Sequence, residues 1–256
     1  MHAHFHGANP VGKPIPIAER FLALFPLALL GIVPSSGAVN ATPPSPHSQG
    51  TIFIREKISD EKSFKTAFEG LRPDFKANGF LAYSLHKDLN DPAFLILTLQ
   101  CTDLEKGISF IKSAHYKNAM EEAGVKEPVQ WSGVDVTPRL YGALPLKPAG
   151  IVIARNELIS YAYWKAFYDA EHDPAHGGKN KNKQSGYHPE RHYVPSHYSI
   201  HRGLGKPDVA YVVHEASDVS KAPEFMNSPP MEAMKSPLGI KGFHVWYGYN
   251  LEQGFF

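Results

Sequence analysis

The chain has 256 residues, 43% of them apolar and 20% charged, and 26 basic against 25 acidic side chains leave a formal charge of +1. That composition supplies a core for one large or two small domains and excludes wholesale disorder; the balanced charge argues against the clustered Lys/Arg stripe that holds nucleic acid. A single cysteine, Cys101, leaves no internal disulfide and no thiolate zinc site.

Residues 1–50 read as a leader and linker. Lys13 and Arg20 precede the apolar run Phe21 to Val33, and small residues follow through Ala38 and Ala41. A basic segment, an apolar stretch of about 7–15 residues and a small-residue site make the order of an export signal, too short to span a bilayer. The expectation is cleavage after Ala38 or Ala41, a secreted or periplasmic protein, and no membrane attachment once the signal is removed. A disordered arm that merely contains an apolar stretch is the alternative. Pro43, Pro44 and Pro46 extend the linker, and His2, His4 and His6 alternate inside the leader.

The next elements, in residues 51–137, follow from periodicity. Ile52 to Ile58 predicts a strand. Glu61 to Asn78 predicts a helix, with Phe64, Ala67, Phe68, Leu71 and Phe75 at steps of three and four, interrupted by Pro73. Phe80 to His86 is a second strand, Asn90-Asp91-Pro92 a turn, and Ala93 to Gln100 a third, largely apolar strand. Asp103 opens a second helix that runs to Gly124, with Ile108, Phe110, Ile111, Tyr116 and Met120 inward. A last strand lies between Val129 and Val136.

Residues 138–149, rich in Pro and Leu, form a linker, and residues 150–256 repeat the pattern. Ser84-Leu-His86-Lys-Asp-Leu-Asn-Asp-Pro92 aligns with Ser199-Ile-His201-Arg-Gly-Leu-Gly-Lys-Pro207 at an offset of 115, while Phe64 aligns with Trp164 at an offset of 100. About 15 extra residues therefore enter the second copy between its first helix and second strand, where loops tolerate growth. Its elements are Gly150 to Arg155, Tyr161 to Glu171, Tyr198 to Arg202, Val209 to Glu215, Lys221 to Lys235 and Phe243 to Tyr249. Each copy has the order β-α-β-β-α-β, the ferredoxin-like unit. A sheet with both helices on one face leaves the other face bare, so each copy is the expected cover of the other. The expected fold is α+β: two tandem ferredoxin-like units packed sheet to sheet.

Asp103 to Val125 resembles the second helix of the antibiotic biosynthesis monooxygenase-like proteins of the dimeric α/β-barrel superfamily, and Asp218 to Met234 looks like a diverged second copy. In that family two chains pair their sheets into a barrel. The resemblance implies that one chain supplies both halves as a pseudo-dimer, with further self-association open. The family includes oxygenases that oxidise aromatic polyketides without metal or flavin, enzymes that degrade haem, and proteins with no known reaction. The haem-degrading members pair a Trp and a His on the second helix with an Asn on the first strand. Here the corresponding helix positions are Phe110 and Met120, then Phe225 and Met234, none of which ligates haem as histidine does, although Asn156 lies on or near a first strand. The expectation is therefore no cofactor.

His86 and His201 end the two second strands, one per half, and imidazole can take a proton near neutrality. His214 and Glu215 replace Leu99 and Gln100 on the third strand, and by alternation one of the two faces the sheet's bare side. These four are the catalytic candidates; strand-end residues kept by duplication are the alternative. Trp164, Tyr198, Tyr211 and Phe243, with Trp131 and Trp246, could line an aromatic cleft or simply fill a core. The insert and its flanks, dense in histidine, offer His172, His176, His188 and His192 for a divalent metal, against a polar surface loop. No Gly-rich phosphate loop, nucleophile elbow or zinc-protease helix is present. Two functions follow: a cofactor-free monooxygenase acting on an aromatic or quinol-type small molecule, or a non-enzymatic module holding a small hydrophobic ligand or a metal.

Overall fold

Alternation along β1 (Gly50–Lys57) sends Ile52 and Ile54 to one side and Phe53 to the other, the two-residue period of a strand buried on both faces. The computed structural model describes residues 45–137, 150–172, 195–216 and 218–256. The leader, the linker of residues 138–149 and the positions of His176, His188 and His192 lie outside the described residues.

After β1 come α1 (Glu61–Gly70), α2 (Arg72–Ala77), β2 (Phe80–Asp88), β3 (Phe94–Cys101), α3 (Leu104–Lys112), α4 (Ala114–Glu122) and β4 (Lys126–Thr137). The second half supplies β5 (Gly150–Leu158), α5 (Tyr161–His172), β6 (Pro195–Gly203), β7 (Val209–Ala216), a 3₁₀ turn at Val219–Lys221, α6 (Ala222–Met226), α7 (Pro229–Lys235) and β8 (Ile240–Phe255). The described residues thus hold eight strands and seven α-helices. None of these helices is long and apolar enough to cross a membrane.

Three predicted helices are each broken. The helix expected over residues 61–78 divides at Leu71, because Pro73 sits in the first turn of α2, where its missing N–H costs nothing. The helix expected from Asp103 to Gly124 divides at Ser113, whose backbone turns extended (φ −64, ψ 152) and whose Oγ accepts from Tyr116 N at 3.2 Å. A capping serine here competes with helix continuation. Pro223 and Pro229 divide the last helical region in the same way as Pro73.

The strands form one antiparallel sheet closed in the order β1-β3-β2-β8-β5-β7-β6-β4. Within the first half the order is β4-β1-β3-β2, and within the second it is β8-β5-β7-β6, the same arrangement twice. The halves do not merely lie face to face; hydrogen bonds join them along two seams. One pairs β2 with β8 from Ala82↔Phe255 to Asp88↔Gly248, and the other pairs β4 with β6 from Gly133↔Gly203 to Thr137↔Ile200. This is why β4 and β8 outrun their predicted lengths: each pairs with its own half and with the opposite one.

Apolar side chains separate into an interior and an outer coat. Inside the barrel Phe53, Ile96, Ile151, Ile153, Tyr211 and Val213 meet, and Trp131 and Trp246 stack across it at 4.3 Å between ring centroids. Outside, α1–α4 cover the first half's strands, and α5–α7 cover the second's.

Each seam needs a glycine. A Cβ on Gly133 would stand 2.8 Å from the Cβ of His201, and one on Gly248 would stand 2.6 Å from the Cβ of His86. Alanine at either position is expected to cost about 1–3 kcal/mol through overpacking, each kcal/mol lowering the melting temperature by about 2–4 °C in a domain of this size. Thermal melts of Gly133→Ala and Gly248→Ala that coincide with the parent protein would show that close approach does not govern seam closure.

Candidate active site

The barrel wall carries polar side chains at matching places in the two halves. Ser84 and His86 point inward from β2, with Ser84 Oγ 2.8 Å from His86 Nε2 and 2.6 Å from Thr98 Oγ1. On β6 the arrangement recurs, with Ser199 Oγ 2.8 Å from His201 Nε2. The second set is extended: His201 Nδ1 lies 2.7 Å from Asp135 Oδ1, and Asp135 also accepts from Thr51 and Gln100. Burial alone would raise the Asp135 carboxyl, but the bonds from His201, Gln100 and Thr51 outweigh it and hold the carboxyl below its ordinary value. Asn250, opposite His86 in register, takes the place that Asp135 occupies opposite His201. His86, His201 and Glu215 are 0%, 1% and 1% exposed. The Asp135–His201–Ser199 chain and the His86–Ser84–Thr98 set thus lie inside a closed wall, away from solvent.

His214 faces the other way. Neighbours on β7 alternate, so Tyr211, Val213 and Glu215 line the interior while Val212 and His214 turn outward beneath the helices. There the Tyr198 ring lies 6.5 Å from the His214 ring, Tyr168 lies 5.8 Å from Tyr198, and Trp164 lies 5.0 Å from Tyr168. Tyr198 is exposed and His214 half-buried. Of the four aromatics predicted to line a cleft, Trp164 and Tyr198 lie on the same face, joined through Tyr168, with Trp164 itself buried. Tyr211 is on the opposite face of the sheet, 5.6 Å from Phe53, and Phe243 packs in a separate cluster with Val245 and Tyr247.

The corresponding layer of the first half is sealed. Phe64, Phe68, Phe75, Phe80, Phe110 and Tyr116 pack against β1–β3, with Phe256 stacked on Phe75 at 4.8 Å. Phe110 and Met120, at the haem-contacting positions of the resembled family, are 8% and 3% exposed within that packing. His115, on α4 with Met120, turns to solvent and pairs with Asp74 at 3.0 Å. Phe225 and Met234 likewise pack on the second half's clusters. These residues do not fit a haem: the described helices offer no inward imidazole, and the first-half space is filled.

Two groups here were missed by sequence reasoning. Glu56 shares the outward face of β1 with Ile52 and Ile54, is 1% exposed, and its Oε1 has no hydrogen-bond partner; the Tyr116 hydroxyl in the same layer has none either. A charged residue at the third position of an apolar alternation was the available signal. Asp135 had none, because its partners come from distant strands. Cys101 is fully buried, and its thiol is pushed up to about 12 chiefly by desolvation.

Among the described residues no group of three or more His, Cys, Asp or Glu converges as metal ligands do. His172 ends α5, but its side chain is outside the described set. An open depression lined by Asp60, Glu61, Lys62, Lys65, Thr66 and Glu69 lies along α1. Its mixed charges mark solvated surface, not an enclosed site.

Solved structures share this architecture. A candidate monooxygenase from Lactobacillus acidophilus NCFM aligns with TM-score 0.50 at 9% identity, covering 81% of this chain and 97% of its own. An anthrone oxidase-like protein aligns with TM-score 0.51 at 8% identity, covering 81% and 93%. A candidate chlorite dismutase aligns with TM-score 0.51 at 10% identity, covering 80% and 96%. These neighbours have dimeric α/β-barrel folds, and at such identities the likeness concerns fold alone. Neither a protein-family model nor a curated protein sequence matches the chain.

The buried carboxyls set opposite pH limits. Desolvation raises Glu56 from an ordinary 4.5 to about 8, so the folded state keeps a proton that the unfolded chain has released. Stability then declines as pH rises across that window, by at most about 1.4 kcal/mol per unit. Asp135 is depressed, so its contribution is complete above its ordinary 3.8 and is lost as pH falls through its folded value. Glu56→Gln is expected to remove the decline between pH 5 and 8 while leaving the acid limb unchanged. Parallel melting curves for the two proteins across that range would refute the assignment.

Proposed function

We propose that this chain is a cofactor-free monooxygenase that oxidises an aromatic or quinol-type small molecule in the second half's helix–sheet layer. The observation that carries the reading is the base among aromatics: His214 beside Tyr198, next to Tyr168 and Trp164, where the first half has Leu99 sealed in its core. Imidazole is the side-chain base suited to near-neutral pH, and aromatic walls suit a planar substrate. In this reading His214 takes a proton from an activated ring carbon or phenol, and the electron-rich substrate reduces dioxygen. For a methylene flanked by aromatic rings, both C–H bonds break and one C=O bond forms. One atom of the dioxygen becomes the carbonyl oxygen, and the other leaves as water carrying the two hydrogens. The four electrons that reduce dioxygen come from the substrate carbon alone, so no other reductant is needed. Glu215, His201 and His86 keep the barrel wall in register and do not touch substrate.

The same reading takes the chain as a tandem duplication of ferredoxin-like units joined as an intrachain pseudo-dimer. It is supported by the repeated strand order, the paired Ser-x-His segments and the Trp131/Trp246 pair. The leader's residue order supports export, and the mature protein is expected to begin after Ala38 or Ala41. Intact-mass measurement of protein recovered outside the cell checks this; a retained residue 1 would refute it.

Protein freed of metal by chelation is expected to consume oxygen in the presence of an anthrone. His214→Ala is expected to lower turnover about a hundredfold, the scale of general-base assistance, with smaller losses for Tyr198→Phe. Oxygen uptake that is absent, or indifferent to His214, overturns the oxygenase reading; saturable binding without uptake leaves a ligand-binding module.

A further inference from the structure

One row of side chains between sheet and helices recurs in both halves with its chemistry exchanged. In the first half the row is Phe64, Phe68, Tyr83 and Leu99; at the equivalent positions the second half has Trp164, Tyr168, Tyr198 and His214. The spacing is kept. Between ring centroids, Phe64 to Phe68 is 6.1 Å and Phe68 to Tyr83 is 4.9 Å, against 5.0 Å from Trp164 to Tyr168 and 5.8 Å from Tyr168 to Tyr198. Tyr83 faces Leu99 across its strand pair, and Tyr198 faces His214 in the same register with the two rings 6.5 Å apart.

Phenylalanine satisfies the packing of the first row, so bulk alone does not call for the exchange. What changes is electron chemistry: indole and phenol give up single electrons to oxidants that leave a phenyl ring untouched. Burial falls along the second row. Trp164 is 1% exposed among Leu158, Ile200, Val212 and Leu238, Tyr168 is half-buried, and Tyr198 is 39% exposed. A positive hole on Trp164 is a charge in an apolar setting, which burial disfavours. On Tyr198 the phenol can shed its proton as it is oxidised and end neutral, and the neighbouring imidazole is a base suited to take that proton near neutral pH. The hole therefore runs outward. Tyr83 has no such outlet, being 2% exposed, donating to Glu252 at 2.5 Å and accepting from Arg72 at 3.1 Å.

We propose that Trp164, Tyr168 and Tyr198 form an electron-transfer chain that carries an oxidising equivalent outward to the Tyr198 phenol, whose proton His214 takes. The partner is a one-electron oxidant of the peroxyl-radical class. It gains one electron through the chain and one proton from solvent, and becomes a hydroperoxide. Tyr198 loses one electron along the chain and its O–H proton to His214, and becomes a neutral tyrosyl radical. An ene-diol reductant such as ascorbate returns the hydrogen atom from the solvent side. The inference does not rest on the oxygenase reading, because electron transfer along the row needs neither substrate binding nor turnover.

Cys101 is the chain's one cysteine and is buried, so a cysteine introduced at the exposed Ala162, on the same helix as Trp164, takes a ruthenium photo-oxidant selectively. A Tyr163→Phe background removes the exposed phenol next to the label. Flash photolysis with an irreversible quencher then delivers one oxidising equivalent beside Trp164. Transient absorption and electron paramagnetic resonance are expected to show a tyrosyl radical that Tyr198→Phe removes. Trp164→Phe and Tyr168→Phe, which copy the first half's rings, are each expected to lose most of it. His214→Leu, which copies Leu99, is expected to leave an indole radical in place of the tyrosyl signal. Circular-dichroism melts establish which variants fold, and Tyr168→Phe, which removes only a hydroxyl, carries the test if Trp164→Phe does not. The proposal is overturned if Tyr168→Phe or a folded Trp164→Phe gives as much tyrosyl radical as the parent. It is equally overturned if His214→Leu leaves the yield unchanged or if the parent's signal persists in Tyr198→Phe.

Discussion

Closure of the sheet on itself is the constraint from which the other features follow. A four-stranded sheet has two edges of unpaired N–H and C=O groups, and such edges invite pairing with other chains. Here the edges of one half are spent on the edges of the other, β2 on β8 and β4 on β6. The sheet face turned away from the helices thereby becomes a barrel interior, where an apolar cluster and a stacked tryptophan pair fill the space. Polar side chains that enter such an interior must pair, and the Asp135–His201–Ser199 chain is bonded along its whole length.

The two halves share a frame and differ in what they carry between frame and helices. The first is packed with phenylalanine around a buried acid, whereas the second sets His214 beside Tyr198. Two exchanges at equivalent places contribute to this, Leu99 against His214 and Glu56 against Asn156, while Asp135 against Asn250 distinguishes the barrel interior. Such changes cost little to the fold because the frame is held by backbone pairing and interior packing, which they leave intact.

Much of the secondary structure was legible, because apolar spacing reports local geometry. Phe64, Phe68 and Phe75 form the buried helix face that their spacing implies, and β3 is buried along its full length as its apolar run requires. The break at Ser113 was less legible, since a serine within an otherwise helical pattern is weak evidence until its hydroxyl is seen to cap α4. The aromatic grouping of Trp164, Tyr198, Tyr211 and Phe243 mixed two faces and two clusters, which spacing along separate strands cannot distinguish. Asp135 gave no local sign at all.

By itself the sequence determined the order of elements and the likeness of Ser84–His86 to Ser199–His201, because these depend on neighbours a few positions apart. Only the tertiary structure decided that β4 and β8 lengthen into seams, that His214 faces outward while Glu215 faces in, and that Asp135 meets His201 66 positions away. Those outcomes depend on register between strands distant in the chain, and a shift of one residue would have turned every one of these side chains to the other face.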